Sequence, residues 1–162
     1  DLLLGGLRNW ARGVVYWNLA LDENHGPHFG GCDTCKGIVT IDSRTGAVSR
    51  NDEYYAFAHY SRFVHSGAVR IWSTDTGDDI KNVAFRNPDG GSIVLVLING
   101  KTVPHDVSVQ QGELDFRYTM PAESVATFVW QAAAAAAKPA TAATIAPPAT
   151  PGGAGRPGAT PR

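Results

Sequence analysis

Apolar side chains recur at three- and four-residue spacing through Leu3, Leu7, Trp10, Ala11 and Val14. That is the period of one helix face, and it predicts a helix over residues 2–12 with Gly13 at its C-cap. A compact run follows, Val14-Val15-Tyr16-Trp17-Asn18-Leu19-Ala20-Leu21, rich in β-formers and without clean alternation. It reads as a strand buried on both faces of a parallel sheet. Residues 22–36 have no period and form a long loop. A hairpin is expected next, Ile38 to Ile41 with Ala47 to Ser49, closed through Asp42-Ser43-Arg44-Thr45-Gly46. Asn51 or Asp52 then caps a helix from Glu53 to about His65, whose inner side carries Ala56, Phe57, Tyr60, Phe63 and Val64.

After Gly67 the period changes to two. Six short segments alternate or run apolar: Ala68 to Ser73, Val83 to Arg86, Ser92 to Ile98, His105 to Val109, Leu114 to Tyr118 and Ser124 to Trp130. Turn residues separate them, as at Asn87-Pro88-Asp89-Gly90-Gly91 and Asn99-Gly100. The pattern predicts most of an antiparallel β-sandwich. The fold class expected is therefore α+β, with an α/β section over residues 1–66 and a sandwich over 67–130.

Composition adds a third section. From Gln131 to Arg162 there are 13 Ala, 6 Pro, 4 Gly and 4 Thr, and no aromatic residue. Such a stretch has too little apolar bulk to offset the entropy of ordering it, so residues 131–162 are expected to be disordered, and they resemble linkers that connect to a further domain. About 130 of the 162 residues remain for a core, well short of the ~250 that a complete (β/α)8 barrel needs. Residues 1–130 hold 11 Lys and Arg against 15 Asp and Glu, without a basic cluster. A nucleic-acid partner is not expected. The longest apolar stretches are strand-sized, far below the ~20 residues of a membrane span. The chain opens on Asp1 followed by an apolar triplet inside a helical pattern, and it reads as a cut through a longer polypeptide.

The densest group of reactive side chains is the loop His25-Gly-Pro-His28-Phe-Gly-Gly-Cys32-Asp-Thr-Cys35. Its two His and two Cys number the four donors of a zinc site, although the intervening chain is short for a tetrahedron. A local disulfide between Cys32 and Cys35 in an exported protein needs no further assumption. A thioredoxin-type motif does not fit, since that CxxC opens a helix whereas this one leads into a hairpin.

Paired carboxylates are the other candidates for chemistry. Asp22 and Glu23 stand just beyond the apolar strand, at the end where α/β sheets place their sites, but neither has an evident partner. Glu53 belongs to a helix first turn. Asp75, Asp78 and Asp79 read as turn residues, because they lack the ligand spacing of an EF-hand loop. Trp17, near the C-terminal end of the strand, could face a sugar ring, whose C–H face stacks on an indole. It could equally be core. Trp72, Phe85, Phe116, Phe128 and Trp130 fall on alternating strand positions and read as core.

Several stretches together resemble the C-terminal part of glycoside hydrolase family 30, the glucosylceramidases and related β-glycosidases. They are Trp17-Asn-Leu-Ala-Leu-Asp22, Gly26-Pro27, Gly30-Gly31-Cys32-x-x-Cys35, Gly37-Ile-Val-Thr-Ile-Asp42, the segment from Glu53 to Val64, and Gly67-Ala-Val-Arg-Ile71. The resemblance implies that residues 1–66 are the last strand and flanking helices of a (β/α)8 barrel, and that the sandwich packs beside it. It implies a retaining mechanism with two catalytic Glu, ~5–5.5 Å apart. No Glu of this sequence occupies either motif, so no catalytic residue is assigned. Trp17 matches the strand-eight Trp that lines the −1 sugar subsite, with Asn18 beside it. Gly31-Cys32-Asp33 replaces the polar loop of the animal enzymes and looks like the bacterial branch.

The leading expectation is a secreted, retaining β-glycosidase of glucosylceramidase or β-glucosidase type. This section would supply one wall of the sugar subsite, without cofactor or metal. Its partner is a β-linked glycoside, bound only with the rest of the barrel. Two alternatives stay open: a non-catalytic carbohydrate-binding or stabilising sandwich, and a His/Cys zinc-binding interaction loop.

Overall fold

The computed structural model describes residues 2–77 and 80–132. The expected linker, apart from its first two residues, and the turn residues Asp78 and Asp79 lie outside the described residues. The described residues include two helices, α1 (Leu2–Arg8) and α2 (Asp52–Ser61). The nine strands of the described residues make three sheets, and the chain is mostly β-sheet.

β1 (Ala20–Leu21), β2 (Val39–Ile41) and β3 (Val48–Arg50) form the first sheet. β1 runs parallel to β2, pairing Ala20 with Val39, and β2 pairs with β3 as the expected hairpin. The amides of Ile38 and Val39 extend this pairing back to the carbonyls of Asn18 and Leu19, each at 3.1 Å. Gly37 lies where these strands press together. A Cβ there would sit 2.8 Å from the Val39 carbonyl oxygen and 2.9 Å from the Ala20 Cα, which only glycine avoids.

A four-stranded antiparallel sheet follows, β4 (Val69–Ile71), β5 (Ile80–Arg86), β6 (Ser92–Asn99) and β9 (Ser124–Gln131), in the order β4-β5-β6-β9. Between β6 and β9 the chain leaves the sheet to make a separate hairpin of β7 (His105–Gln111) and β8 (Leu114–Met120). All six sandwich segments expected from the period-two pattern are strands. β4 is shorter than expected at both ends, β5 begins three residues earlier, and β6 to β9 start as expected and run one or two residues further.

β5 and β6 are buried on both faces, which explains their continuous apolar runs. Val83, Phe85, Val94 and Val96 point to one side, where Leu4 and Leu7 of α1 and Tyr60, Phe63 and Val64 from α2 and the turn after it cover them. Ile80, Ala84, Leu95 and Leu97 point to the other, toward Val107 and Val109 of β7 and Met120 of β8. β7 is accordingly half-buried at every second residue. Phe116 and Phe128 pack at 5.1 Å between ring centres, and Trp130 stands edge-on to Phe116.

Polar side chains fasten the helices to this body. Arg8 donates to the Asn82 carbonyl at 2.9 Å and to the Ser73 hydroxyl at 3.2 Å. Asn87, almost wholly buried, donates to the Phe63 carbonyl and accepts from the His65 amide. Burial pushes the Tyr60 hydroxyl up to about 12.

Three expectations need correction. α1 ends at Arg8, and Trp10 takes the left-handed position (φ 70°) that Gly13 was expected to take. The Arg70 guanidinium lies 3.8 Å from the centre of the Trp10 ring and holds it there. α2 ends at Ser61, and the chain to Gly67 proceeds by turns. The segment 14–21 is a strand only at Ala20 and Leu21 and is not buried on both faces, since Val15, Trp17 and Leu19 are largely exposed. Nothing among the described residues covers that face.

Candidate functional site

The residues singled out for chemistry flank β1, with Trp17 and Asn18 ahead of its first residue and Asp22, Glu23, Cys32 and Cys35 after its last. Residues 14–20 alternate half-buried and exposed. Tyr16 turns inward and meets Phe57 of α2 edge-on at 5.6 Å. Burial and then the neighbouring Glu53 carboxylate raise the Tyr16 hydroxyl above its ordinary value. Trp17, one residue on, turns outward and is 78% exposed. The peptide bond between Trp17 and Asn18 is cis. Asn18 is half-buried, and its Oδ1 has no hydrogen-bond partner among the described residues. An exposed indole is thus followed in the chain by a buried amide oxygen without a partner.

The loop after β1 is folded by its carboxylates. Asp22 Oδ1 accepts from the amides of Asn24 at 2.8 Å and Gly26 at 2.7 Å, and the Asp22 amide donates to the Gly26 carbonyl. Asp22 is a turn-former. Glu23 accepts from the Ser43 amide at 2.9 Å and its hydroxyl at 2.6 Å, tying the loop to the β2–β3 turn. Those two hydrogen bonds hold the Glu23 carboxyl below its ordinary value. Within the turn, Asp42 accepts from the Thr45 hydroxyl and amide, which lowers its carboxyl as well. No opposed carboxylate pair with an acid and a base role arises from these groups.

Cys32 and Cys35 are joined as a disulfide, with 5.5 Å between their Cα atoms. A bonded pair offers no thiolates to a metal, so the zinc-loop alternative fails at its sulfur donors. Gly30 and Gly31, both with positive φ, lead the chain into this staple. Phe29 beside them is fully exposed. Glu53 sits in the first turn of α2, as expected. Asn51 occupies the N-cap position but makes no cap hydrogen bond there. Its side chain donates instead to the Gly37 carbonyl and the Thr40 hydroxyl, holding β2 against α2. Asp75 lies 3.8 Å from Arg8 in an exposed ion pair.

Trp72 overturns its expected place in the core. It follows the last residue of β4 and is 81% exposed, while Phe85, Phe116, Phe128 and Trp130 are buried or half-buried. No alternation can report that a strand stops at Ile71, two residues before the expected Ser73. The sequence marked Asn51 only as a cap and Gly37 only within a family stretch, not for the packing roles they take. The available signal was a glycine directly before a β-rich run and an asparagine directly after one.

Residues 67–128 match the glycosyl hydrolase family 30 beta sandwich domain. Over 142 residues the chain is 37% identical to an endo-1,6-beta-D-glucanase of Neurospora crassa, covering 82% of this chain and 29% of that protein. A Caenorhabditis elegans protein provisionally named glucosylceramidase 1 is 29% identical and covers 80% of this chain and 26% of its own length. Among solved structures, an endo-β1,6-glucanase superposes with a TM-score of 0.71 at 40% identity, over 82% of this chain and 30% of the other. SrfJ from Salmonella typhimurium superposes at 0.67 with 29% identity, over 72% of this chain and 26% of its own. The chain thus spans less than a third of the relatives it matches. No helix among the described residues is long and apolar enough to cross a membrane. The sandwich match, supported by glucanase relatives whose likeness reaches well beyond the sandwich, places the chain in the C-terminal part of glycoside hydrolase family 30.

Proposed function

We propose that this chain is a C-terminal section of a secreted, retaining β-glycoside hydrolase that acts on a β-1,6-linked glucan, and that Trp17 and Asn18 form one wall of its −1 sugar subsite. The observation that carries the reading is the outward-facing, 78% exposed Trp17 indole just ahead of a strand that pairs in parallel. The indole would stack on the C–H face of a glucosyl ring, with Asn18 behind it as part of the same wall. In this reading residues 2–66 are the last strand and flanking helices of a (β/α)8 barrel. The exposed side of the segment at Val15, Trp17 and Leu19 would face the rest of that barrel and its substrate. The catalytic acid/base and nucleophile, both Glu in this family, belong to barrel strands outside this sequence, so the chain by itself turns nothing over.

The preference for β-1,6-glucan over glucosylceramide rests on the names and identities of the relatives, 37% and 36% for two fungal endo-1,6-β-glucanases against 29% for the nematode protein. Secretion fits the Cys32–Cys35 disulfide. The test is hydrolysis of pustulan, a β-1,6-glucan, and of glucosylceramide by the longer enzyme and its Trp17→Ala variant. Pustulan turnover should exceed glucosylceramide turnover, and the substitution should lower kcat/KM about tenfold or more through the lost stacking. An unchanged kcat/KM would remove Trp17 from the subsite.

A second reading, a non-catalytic carbohydrate-binding sandwich, draws on the exposed Trp72. Affinity electrophoresis of the chain in pustulan gels separates it from the first. Retardation that Trp72→Ala abolishes favours it, and unretarded migration rejects it.

A further inference from the structure

Phe29 is the one aromatic residue of the long loop after β1, and its side chain is fully exposed. The chain around it is nevertheless pinned at both ends. At the entry, Glu23 accepts from the Ser43 amide and hydroxyl, and the Asp22 carboxylate gathers the amides of Asn24 and Gly26. At the exit, the Cys32–Cys35 disulfide is followed by Gly37, which is pressed against Ala20 and Leu21 and held through its carbonyl by Asn51. Between these ties the backbone turns left-handed at Gly30 (φ 68°) and Gly31 (φ 82°). A Cβ on either would meet nothing within 4 Å, so these glycines supply conformation and not room. A loop fixed at both ends and turned sharply beside one bare ring presents that ring to a partner.

Position and neighbours say which partner fits. The loop leaves β1 at Leu21 and comes back beside Asn18, whose carbonyl accepts from the Ile38 amide at 3.1 Å, so both its ends are joined to the segment that carries Trp17. In a (β/α)8 barrel the loops after the strands build the mouth of the site and the packed interior lies below them. Phe29 then belongs to the rim and not to the core. Its neighbours His28, Asp33 and Thr34 are polar and exposed. A lone ring among polar groups suits a sugar, which has an apolar C–H face edged by hydroxyls, whereas an acyl chain needs a continuous apolar patch. A sugar joined through an exocyclic CH2 group also has one more rotatable bond than a sugar joined between ring carbons. A platform that fixes its orientation therefore matters most for a 1,6-linkage.

We propose that Phe29 is the platform for the leaving sugar: its ring stacks on the glucosyl unit on the reducing side of the scissile bond, beyond the subsite of Trp17, and so favours a glucan over other β-glucosides. This rests on the reading of the longer protein as a β-1,6-glucanase and extends it to the side of the site that holds the leaving group. The pinned loop sets the height and angle of the ring, so the platform is formed before the substrate arrives.

The experiment measures kcat/KM of the longer enzyme on a β-1,6-linked glucose tetrasaccharide and on the β-fluoride of gentiobiose, which has no sugar beyond the scissile bond. Phe29→Ala should lower kcat/KM on the tetrasaccharide about fivefold or more and change that on the fluoride by under about twofold. Phe29→Trp, which keeps a ring at the tip, should hold the tetrasaccharide within about twofold of the parent. Trp17→Ala should lower both substrates together. Both Phe29 variants should keep the thermal midpoint of the parent, since the side chain is exposed. Three results would overturn the proposal: equal loss on tetrasaccharide and fluoride, no loss on the tetrasaccharide, or a loss on glucosylceramide as large as that on the tetrasaccharide, which would make the ring a lipid contact. Each of these leaves the glucanase reading intact. A parent enzyme that hydrolyses neither sugar substrate would remove that reading, and the platform with it.

Discussion

The centre of the sandwich and the segment before β1 have similar composition and opposite surroundings. Ile93, Val94 and Val96 in β6 are 1% exposed or less, whereas Val15, Trp17 and Leu19 are 98%, 78% and 72% exposed. Both stretches are runs of β-formers. In β6 each face has a cover, helices on one side and the β7–β8 hairpin on the other. In residues 14–19 only the side toward α2 has one. An apolar run therefore reports how many faces a strand is built to bury, and its exposure in a given chain reports which of those covers the chain contains.

The largest expected break in this comparison is at Phe85. Phe85→Ala removes a ring from the layer beneath α1 and α2 and should destabilise the sandwich by about 3–5 kcal/mol. Trp17→Ala should change the same urea midpoint by no more than about 0.5 kcal/mol, as for an exposed position without a partner. Equal costs would mean that Trp17 is core. Reduction of the disulfide comes next. Cys32→Ser opens a loop of only two intervening residues, so the chain-entropy cost is about 2 kcal/mol at most. The loss should be confined to exchange and proteolysis within residues 22–36, and a matching drop in the sandwich midpoint would contradict the separation of the two regions.

The contact between the regions should be sensitive to acid. His59 of α2 is hydrogen-bonded to the Thr127 hydroxyl of β9 at 2.9 Å. Burial lowers its pKa from the ordinary 6.5. The unfolded chain therefore takes up the proton first, so this contribution is complete above pH 6.5 and is lost as pH falls below it. His59→Asn should flatten the stability profile between about pH 6.5 and 5 relative to the parent chain, read as the difference in thermal midpoint. A parallel profile would remove His59 from the coupling. The smallest effect is expected at Glu23→Gln, which weakens an exposed hydrogen-bonded tie to Ser43. Faster exchange of the Ser43 amide with an unchanged midpoint is the expected outcome.

Much of the sandwich was legible because strand period, turn residues and burial all agree there. Asn87-Pro88-Asp89-Gly90-Gly91 and Asn99-Gly100 mark strand ends whichever way the sheets pack. The same residues concealed a second role, since Asn87 and Asn99 are buried and hydrogen-bonded across loops, and nothing in a turn motif distinguishes that. Helix ends were less legible. Trp10 rather than Gly13 turns α1 because of a distant Arg70, a tertiary contact that outweighs local preference. At the site, the outward aspect of Trp17 and the bonding of Cys32 to Cys35 depend on which neighbours the fold supplies. The residues alone admitted a core indole and a zinc loop.

Amide hydrogen exchange of the chain tests the central claim most directly, because it compares the covered and uncovered runs in one experiment. Residues 93–98 should exchange slowly, near the rate of global unfolding, while residues 14–19 should exchange at least about a thousandfold faster, as a wall without its cover does. Slow exchange throughout residues 14–19, equal to that of β6, would contradict the account and show that this segment is a finished part of a self-sufficient domain.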